Sequence, residues 1–254
     1  MCLLVGDRRP HVSWIKNSSY SASDIHLPDY LIDTPQTREH WGRYLTDIEG
    51  LDRSIGEVDS IAAAYFGNKN YIFMYTADHG AQWPFGKWNL YDKGIKTSLL
   101  VRWPNVIKPK TRTDAMVSWI DIFPTLIDIA GGNTSKDIDG FSFKNVLTGE
   151  KNIHREYIYT THTGDGDMNI YPIRSVRSGR YKYIRNLLPN CYHSNHSDIL
   201  RKDGAGAYWD SWDNVAQYYK KAASIIEKYL NCMFINEYIM KRNIMSYNKK
   251  TEYG

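Results

Sequence analysis

Asp78, His79 and Gly80 end an apolar run, Tyr71-Ile72-Phe73-Met74-Tyr75-Thr76. A carboxylate beside an imidazole can hold a divalent cation, and an adjacent glycine lets a ligand approach the backbone closely. The same tripeptide also serves as a strand-end turn in which aspartate caps backbone amides, and in isolation that is its commoner use. Lys87 lies in Pro84-Phe85-Gly86-Lys87-Trp88-Asn89-Leu90-Tyr91-Asp92-Lys93-Gly94-Ile95-Lys96. An ammonium set among glycine and aromatics suits an anionic oxygen as a compact point charge, although most lone lysines are simply solvated. His11 follows Pro10 after Asp7-Arg8-Arg9. There an imidazole can move a proton or merely bond its own loop.

The elements around these residues follow from hydrophobic spacing. Leu3-Leu4-Val5-Gly6 predicts a buried strand emptying into a polar loop. Domains seldom begin inside their sheet, so the pattern predicts further sequence ahead of it. Trp41, Tyr44, Leu45, Ile48, Leu51, Ile55, Val58 and Ile61 recur at helical spacing, with Thr34 as N-cap, Pro35 at the first position and Gly67-Asn68 at the end. Residues 71–76 predict a strand buried on both faces, as in a parallel sheet. Asp78 then falls at its carboxyl end, where open α/β sheets bind ligands.

A strand at 99–103, stopped by Pro104, and a helix at 120–132 continue the alternation to about residue 150. Beyond it, 156–161, 173–177 and 181–185 predict short antiparallel strands with a turn at Ser178-Gly179, followed by a helix at 213–230. The expected division is therefore an α/β region at 1–150, a smaller β-rich one at 151–230, and an atypical tail at 231–254.

Composition narrows the function classes. The 254 residues are 42% hydrophobic and 24% charged, which excludes wholesale disorder. The 32 basic against 28 acidic residues leave a net +4 spread along the chain, with no nucleic-acid footprint. Aromatics reach 14%, with 20 Tyr and 8 Trp, a supply that fits a carbohydrate or aryl pocket. Cys2, Cys191 and Cys232 are too few and scattered for a disulfide framework or zinc knuckle. No run approaches the roughly 20 apolar residues of a membrane span. The first residues also lack the basic start of a signal peptide, so the sequence does not reveal the compartment.

Taken together the segments resemble the sulfatase family. Gly-Asp-Arg-Arg-Pro-His, Leu-Pro-Asp-Tyr-Leu-Ile-Asp-Thr-Pro, Phe-Met-Tyr-Thr-Ala-Asp-His-Gly, Lys-Trp-Asn-Leu-Tyr-Asp-Lys-Gly-Ile, Leu-Val-Arg-Trp-Pro and Trp-Ile-Asp-Ile-Phe-Pro-Thr-Leu-Ile-Asp-Ile-Ala-Gly occur in the family's order. Tyr171-Pro172-Ile173-Arg174-Ser175-Val176-Arg177 and Tyr181-Lys182-Tyr183-Ile184-Arg185-Asn186-Leu187 are most similar to the heparan N-sulfatase type. The resemblance implies an alkaline-phosphatase-like α/β fold, a mixed sheet flanked by helices, with a smaller C-terminal antiparallel sheet plus helix. It implies hydrolysis of a sulfate ester or sulfamate on a sulfated carbohydrate or aryl sulfate. It also implies a divalent metal, usually calcium, and a formylglycine nucleophile. Asp78 and His79 fall on the family's late metal ligands. Lys87 falls on the basic residue that meets sulfate and the leaving oxygen, and His11 on the histidine near the leaving group. His162 is a further substrate-pocket candidate. Family members are usually periplasmic, secreted or lysosomal.

The chain also departs from that pattern. No cysteine stands in Cys-x-Pro-x-Arg, and the Asp-Asp pair of early metal ligands is absent. Asp78 and His79 alone cannot meet the six or more oxygens that calcium takes, so the metal site is expected to be incomplete. Residues 231–254 lack the family's acidic ending. The expectation is a C-terminal portion of a sulfatase, without activity by itself. The alternatives are a remnant that binds sulfated glycan without cleaving it, a non-functional truncated product, or a phosphoryl-transfer relative on the same superfold.

Overall fold

The computed structural model describes residues 1–67, 69–165, 170–191, 193, 195–231, 237–241 and 244–245. Most of the expected tail therefore lies outside the described residues. Helix α1 spans Pro35–Phe66; Thr34 accepts from the Thr37 amide at its start, and Gly67, with φ of 55°, caps its end. These are the boundaries that its N-cap, proline and glycine predict. Strand β1 (Phe73–Thr76) follows, then the short helix α2 (Asp92–Ile95) and strand β2 (Leu99–Arg102). A 3-10 turn at Trp119–Asp121 leads into α3 (Ile122–Ile129), and α4 covers Lys144–Leu147.

The second part holds β3 (Ile158–His162), β4 (Ile173–Arg177) and β5 (Tyr181–Asn186), all antiparallel, in the positions predicted for them. Helices α5 (His196–Leu200), α6 (Tyr208–Ala216) and α7 (Lys220–Asn231) come next. Strands β6 (Glu237–Lys241) and β7 (Ile244–Met245) extend the sheet.

Three expectations need correction. Leu3, Leu4 and Val5 are not a buried strand; they are extended and 76%, 94% and 57% exposed. An apolar run becomes a core strand only when a ladder partner and a covering layer exist, and among the described residues none pairs with this one. Strand β1 is not a parallel strand buried on both faces. Its partner among the described residues is β2, antiparallel, and its four residues are half-buried. The single helix predicted at 213–230 is two, because Tyr218 and Tyr219 turn out to solvent while Tyr208, Trp209 and Trp212 face the core.

That core is aromatic. Trp83 stacks between Trp14 (centroids 4.8 Å) and Tyr208 (4.6 Å), and Trp41 of α1 meets it edge-on at 5.0 Å. Rings from three separate stretches of chain thus close on one indole, an arrangement that adds specific ring–ring attraction to the area buried. The Trp212 indole donates to Thr37 Oγ1 at 2.7 Å, tying α6 to the first turn of α1.

A second knot ties α3 to the segment before β3. Asp121 is fully buried and accepts from the Ser118 and Phe141 amides, from Arg155 through both carboxylate oxygens, and from His154 at 3.1 Å. Burial works to raise the Asp121 carboxyl, but the Arg155 guanidinium and the two backbone donors outweigh it and hold it below the ordinary carboxylate range. Its contribution is therefore present above about pH 4 and lost as the pH falls through the lowered value. Acid titration of the urea midpoint is expected to show stability dropping below about pH 4; in Asp121→Asn that acid limb flattens while stability at pH 7 falls.

Candidate functional site

Residues 77–91 carry no regular ladder, yet much of this stretch is buried. Its backbone groups must find partners elsewhere. Four of its carbonyls accept from side chains of the C-terminal half. Ser197 Oγ donates to Gln82 (2.8 Å), Asn195 Nδ2 to Trp83 (3.4 Å), the Tyr171 hydroxyl to Trp88 (2.7 Å) and Lys182 Nζ to Leu90 (2.5 Å).

Glycines close the turn from within. A Cβ on Gly86 would lie 2.0 Å from the Ala81 carbonyl, the oxygen to which the Lys87 amide donates at 2.8 Å. A Cβ on Gly80 would sit 1.6 Å from the Lys93 carbonyl. On either side of Lys87, Phe85 and Trp88 adopt φ of 64° and 65°. Bulky side chains pay for that left-handed backbone, of order 1–3 kcal/mol each, and such strain persists only where the surroundings over-determine it.

The result is a buried ammonium aimed at an imidazole. Lys87 is 7% exposed, and its Nζ lies 3.3 Å from His11 Nε2. His11 Nδ1 is 2.5 Å from the Val12 carbonyl, so Nδ1 carries the donated proton and Nε2 receives the Lys87 bond. Burial holds the Lys87 ammonium below the ordinary lysine range, with Asp78 and Asp165 pulling the other way. Asp78 and Asp165 thus lie within electrostatic reach of Lys87.

Asp78 itself is exposed, and its Oδ2 is 3.4 Å from His79 Nε2. His79 Nδ1 faces the Gly80 carbonyl at 2.8 Å, which leaves Nε2 and the carboxylate pointing at each other. Among the described residues no group of three or more His, Cys, Asp or Glu could hold a metal ion. Asp78 and His79 supply two ligands where calcium takes six to eight oxygens, so the donor set present does not fit that ion.

His162 reaches the same region by stacking. Its ring lies 4.8 Å from that of Tyr171, which meets His193 edge-on at 4.9 Å. Asn89 Nδ2 donates to His193 Nε2 at 3.3 Å. His193 is fully buried, and burial, aided by His162, pushes its imidazole down to about 3. Burial likewise raises the Tyr171 hydroxyl well above the usual phenol range, so it remains a donor. Sequence reasoning missed Asn89, Asp165, Tyr171 and His193. Asn89 and Tyr171 stand within the segments that carry the resemblance, whereas nothing in the spacing of His193 marks it.

The family model "N-sulphoglucosamine sulphohydrolase, C-terminal" matches residues 78–195, and the model "Sulfatase" matches residues 10–132. The chain belongs to the sulfatase family. It is 33% identical over 73% of its length to an ulvan-active sulfatase of Formosa agariphila, spanning 37% of that protein. It is 40% identical over 51% of its length to an N-acetylglucosamine-6-sulfatase of Capra hircus, spanning 23% of it. A protein solved with its substrate D-glucosamine-2-N,6-O-disulfate superposes with a TM-score of 0.51 at 18% identity, covering 77% of this chain and 44% of that one. This sulfatase-family chain therefore spans less than half the length of these relatives. Among its described residues no helix is long and apolar enough to cross a membrane.

Two measurements check the geometry. Tyr171→Phe removes the bond to the Trp88 carbonyl and is expected to cost about 1 kcal/mol in urea unfolding. The His193 ring resonances are expected to stay fixed between pH 8 and pH 5, because a group at about 3 does not titrate there.

Proposed function

We propose that this chain carries the anion-binding half of a sulfatase site acting on a sulfated sugar, as ester or sulfamate. The observation that carries the reading is the buried Lys87 ammonium 3.3 Å from His11 Nε2. A sulfuryl group in transfer spreads negative charge over its oxygens. A fixed cation in a water-poor site stabilises such charge better than solvent does. Lys87 takes the sulfuryl oxygen, His11 lies at the leaving-group side, and His162 lines the sugar pocket. Residues 1–150 then belong to the catalytic α/β region and 151–230 to a smaller β-rich subdomain.

Relatives named for ulvan, N-acetylglucosamine-6-sulfate and a disulfated glucosamine support the substrate class. Asp78 and His79 fall where the family binds its divalent cation, but they do not complete a calcium shell, and no step is assigned to the ion. The chain as it stands contains no Cys-x-Pro-x-Arg segment to become formylglycine. By itself it binds and does not turn over.

Pure chain is expected to release no sulfate from N-sulfoglucosamine or an aryl sulfate, yet to bind a sulfated monosaccharide in calorimetry. Lys87→Ala is expected to weaken that binding at least tenfold. Binding should also fade as the pH rises, with a midpoint below the ordinary lysine value of about 10.4. Measurable turnover that Lys87→Ala abolishes, or binding indifferent to Lys87→Ala, would overturn the proposal.

A further inference from the structure

Strands β3, β4 and β5 present two faces, because successive side chains alternate. Ile173, Ser175, Lys182, Ile184 and Asn186 are buried on the inner face. There the adjacent cations Arg177 and Lys182 share Asp92 Oδ1, at 2.9 and 2.8 Å. The outer face is different.

In register across it stand Tyr159, Val176 and Tyr183, and beside them Thr161, Arg174 and Arg185. Tyr159 is 73% exposed, Tyr157 45% and Tyr181 44%. Tyr157, Tyr181 and Tyr183 line a shallow cavity of about 270 Å³ with Val176, Ser178 and part of Lys182. Arg174 lies directly opposite Arg185, both exposed. Like charges in that position oppose pairing of the strands, and among the described residues no salt bridge reaches either guanidinium. Arg180 adds a third, 5.2 Å from the Tyr181 ring. Strand β6 pairs next to β5, with Glu237 at the register position of Arg185 and Lys241 at that of Tyr181.

The arginine row also touches the site. Arg174 Nη1 donates to the His162 carbonyl at 3.0 Å, at the end of β3 that brings His162 to Tyr171. Exposed tyrosines give flat apolar rings for pyranose faces, and arginine forks match the paired oxygens of an anionic group. We infer that this outer sheet face is a second binding surface for a sulfated polysaccharide chain, running on from the Lys87 pocket. The inference rests on the sulfated-sugar reading of that pocket and adds a separate surface for the polymer.

The test uses the full chain with heparin and dextran sulfate as polymers and a sulfated monosaccharide as the small probe. Arg180→Ala/Arg185→Ala is expected to weaken polymer binding at least tenfold and to flatten its salt dependence, leaving the monosaccharide unaffected. Tyr159→Ala, a change at an exposed position, is expected to weaken polymer binding about threefold with the salt dependence kept, as a stacking contact should. Unchanged polymer affinity in both variants would overturn the inference, as would neutral dextran binding equally well. Duplex DNA binding as tightly, with the same loss in the double variant, would also overturn it, since the face would then be a general polyanion surface. Failure of the pocket reading is seen separately, as monosaccharide binding indifferent to Lys87→Ala.

Discussion

Four carbonyls from Gln82 to Leu90 accept hydrogen bonds from Ser197, Asn195, Tyr171 and Lys182, and among them the Trp83 carbonyl also takes the Gly86 amide. The stretch has no ladder of its own, so these bonds and the Trp83 stack define its path. An amide or carbonyl left unpaired in such surroundings costs roughly 1–3 kcal/mol. The C-terminal half therefore acts as a template on which the Lys87 loop is held, and the two halves of the sequence share one core.

That template also explains the electrostatics. Burial disfavours the Lys87 ammonium, and the neighbouring Asp78 and Asp165 offset part of the cost. A cation kept at a penalty, beside two aromatic residues in left-handed backbone, is preorganised rather than relaxed. Lys182 shows the contrasting case. It is wholly buried, but Asp92 and the Leu90 carbonyl satisfy it, so its role is architectural. The difference between the two lysines lies in their surroundings, since both are buried side chains of the same type.

Membership of the sulfatase family accounts for the order of the segments. The chain spans 37% of the ulvan-active sulfatase and 44% of the solved disulfated-glucosamine complex. Its described residues supply a lysine, histidines and a carboxylate at one place, without the further oxygens that calcium takes.

Local chemistry was readable directly from the sequence. Thr34, Pro35 and Gly67 bracket α1 because capping depends on neighbouring residues alone. Strands β4 and β5 followed from alternation, and Asp78, His79, Lys87 and His11 became candidates through the sulfatase-like segments that contain them. The pairing of β1 with β2, the exposure of Leu3 to Val5 and the break between α6 and α7 were decided by which surfaces met, and periodicity carries no record of that. Only the tertiary structure joins Lys87 to His11, or brings His193 and Tyr171 beneath the same loop. Those contacts cross 76, 104 and 83 residues of chain, and such partners are chosen by packing and unsatisfied backbone groups rather than by any local pattern.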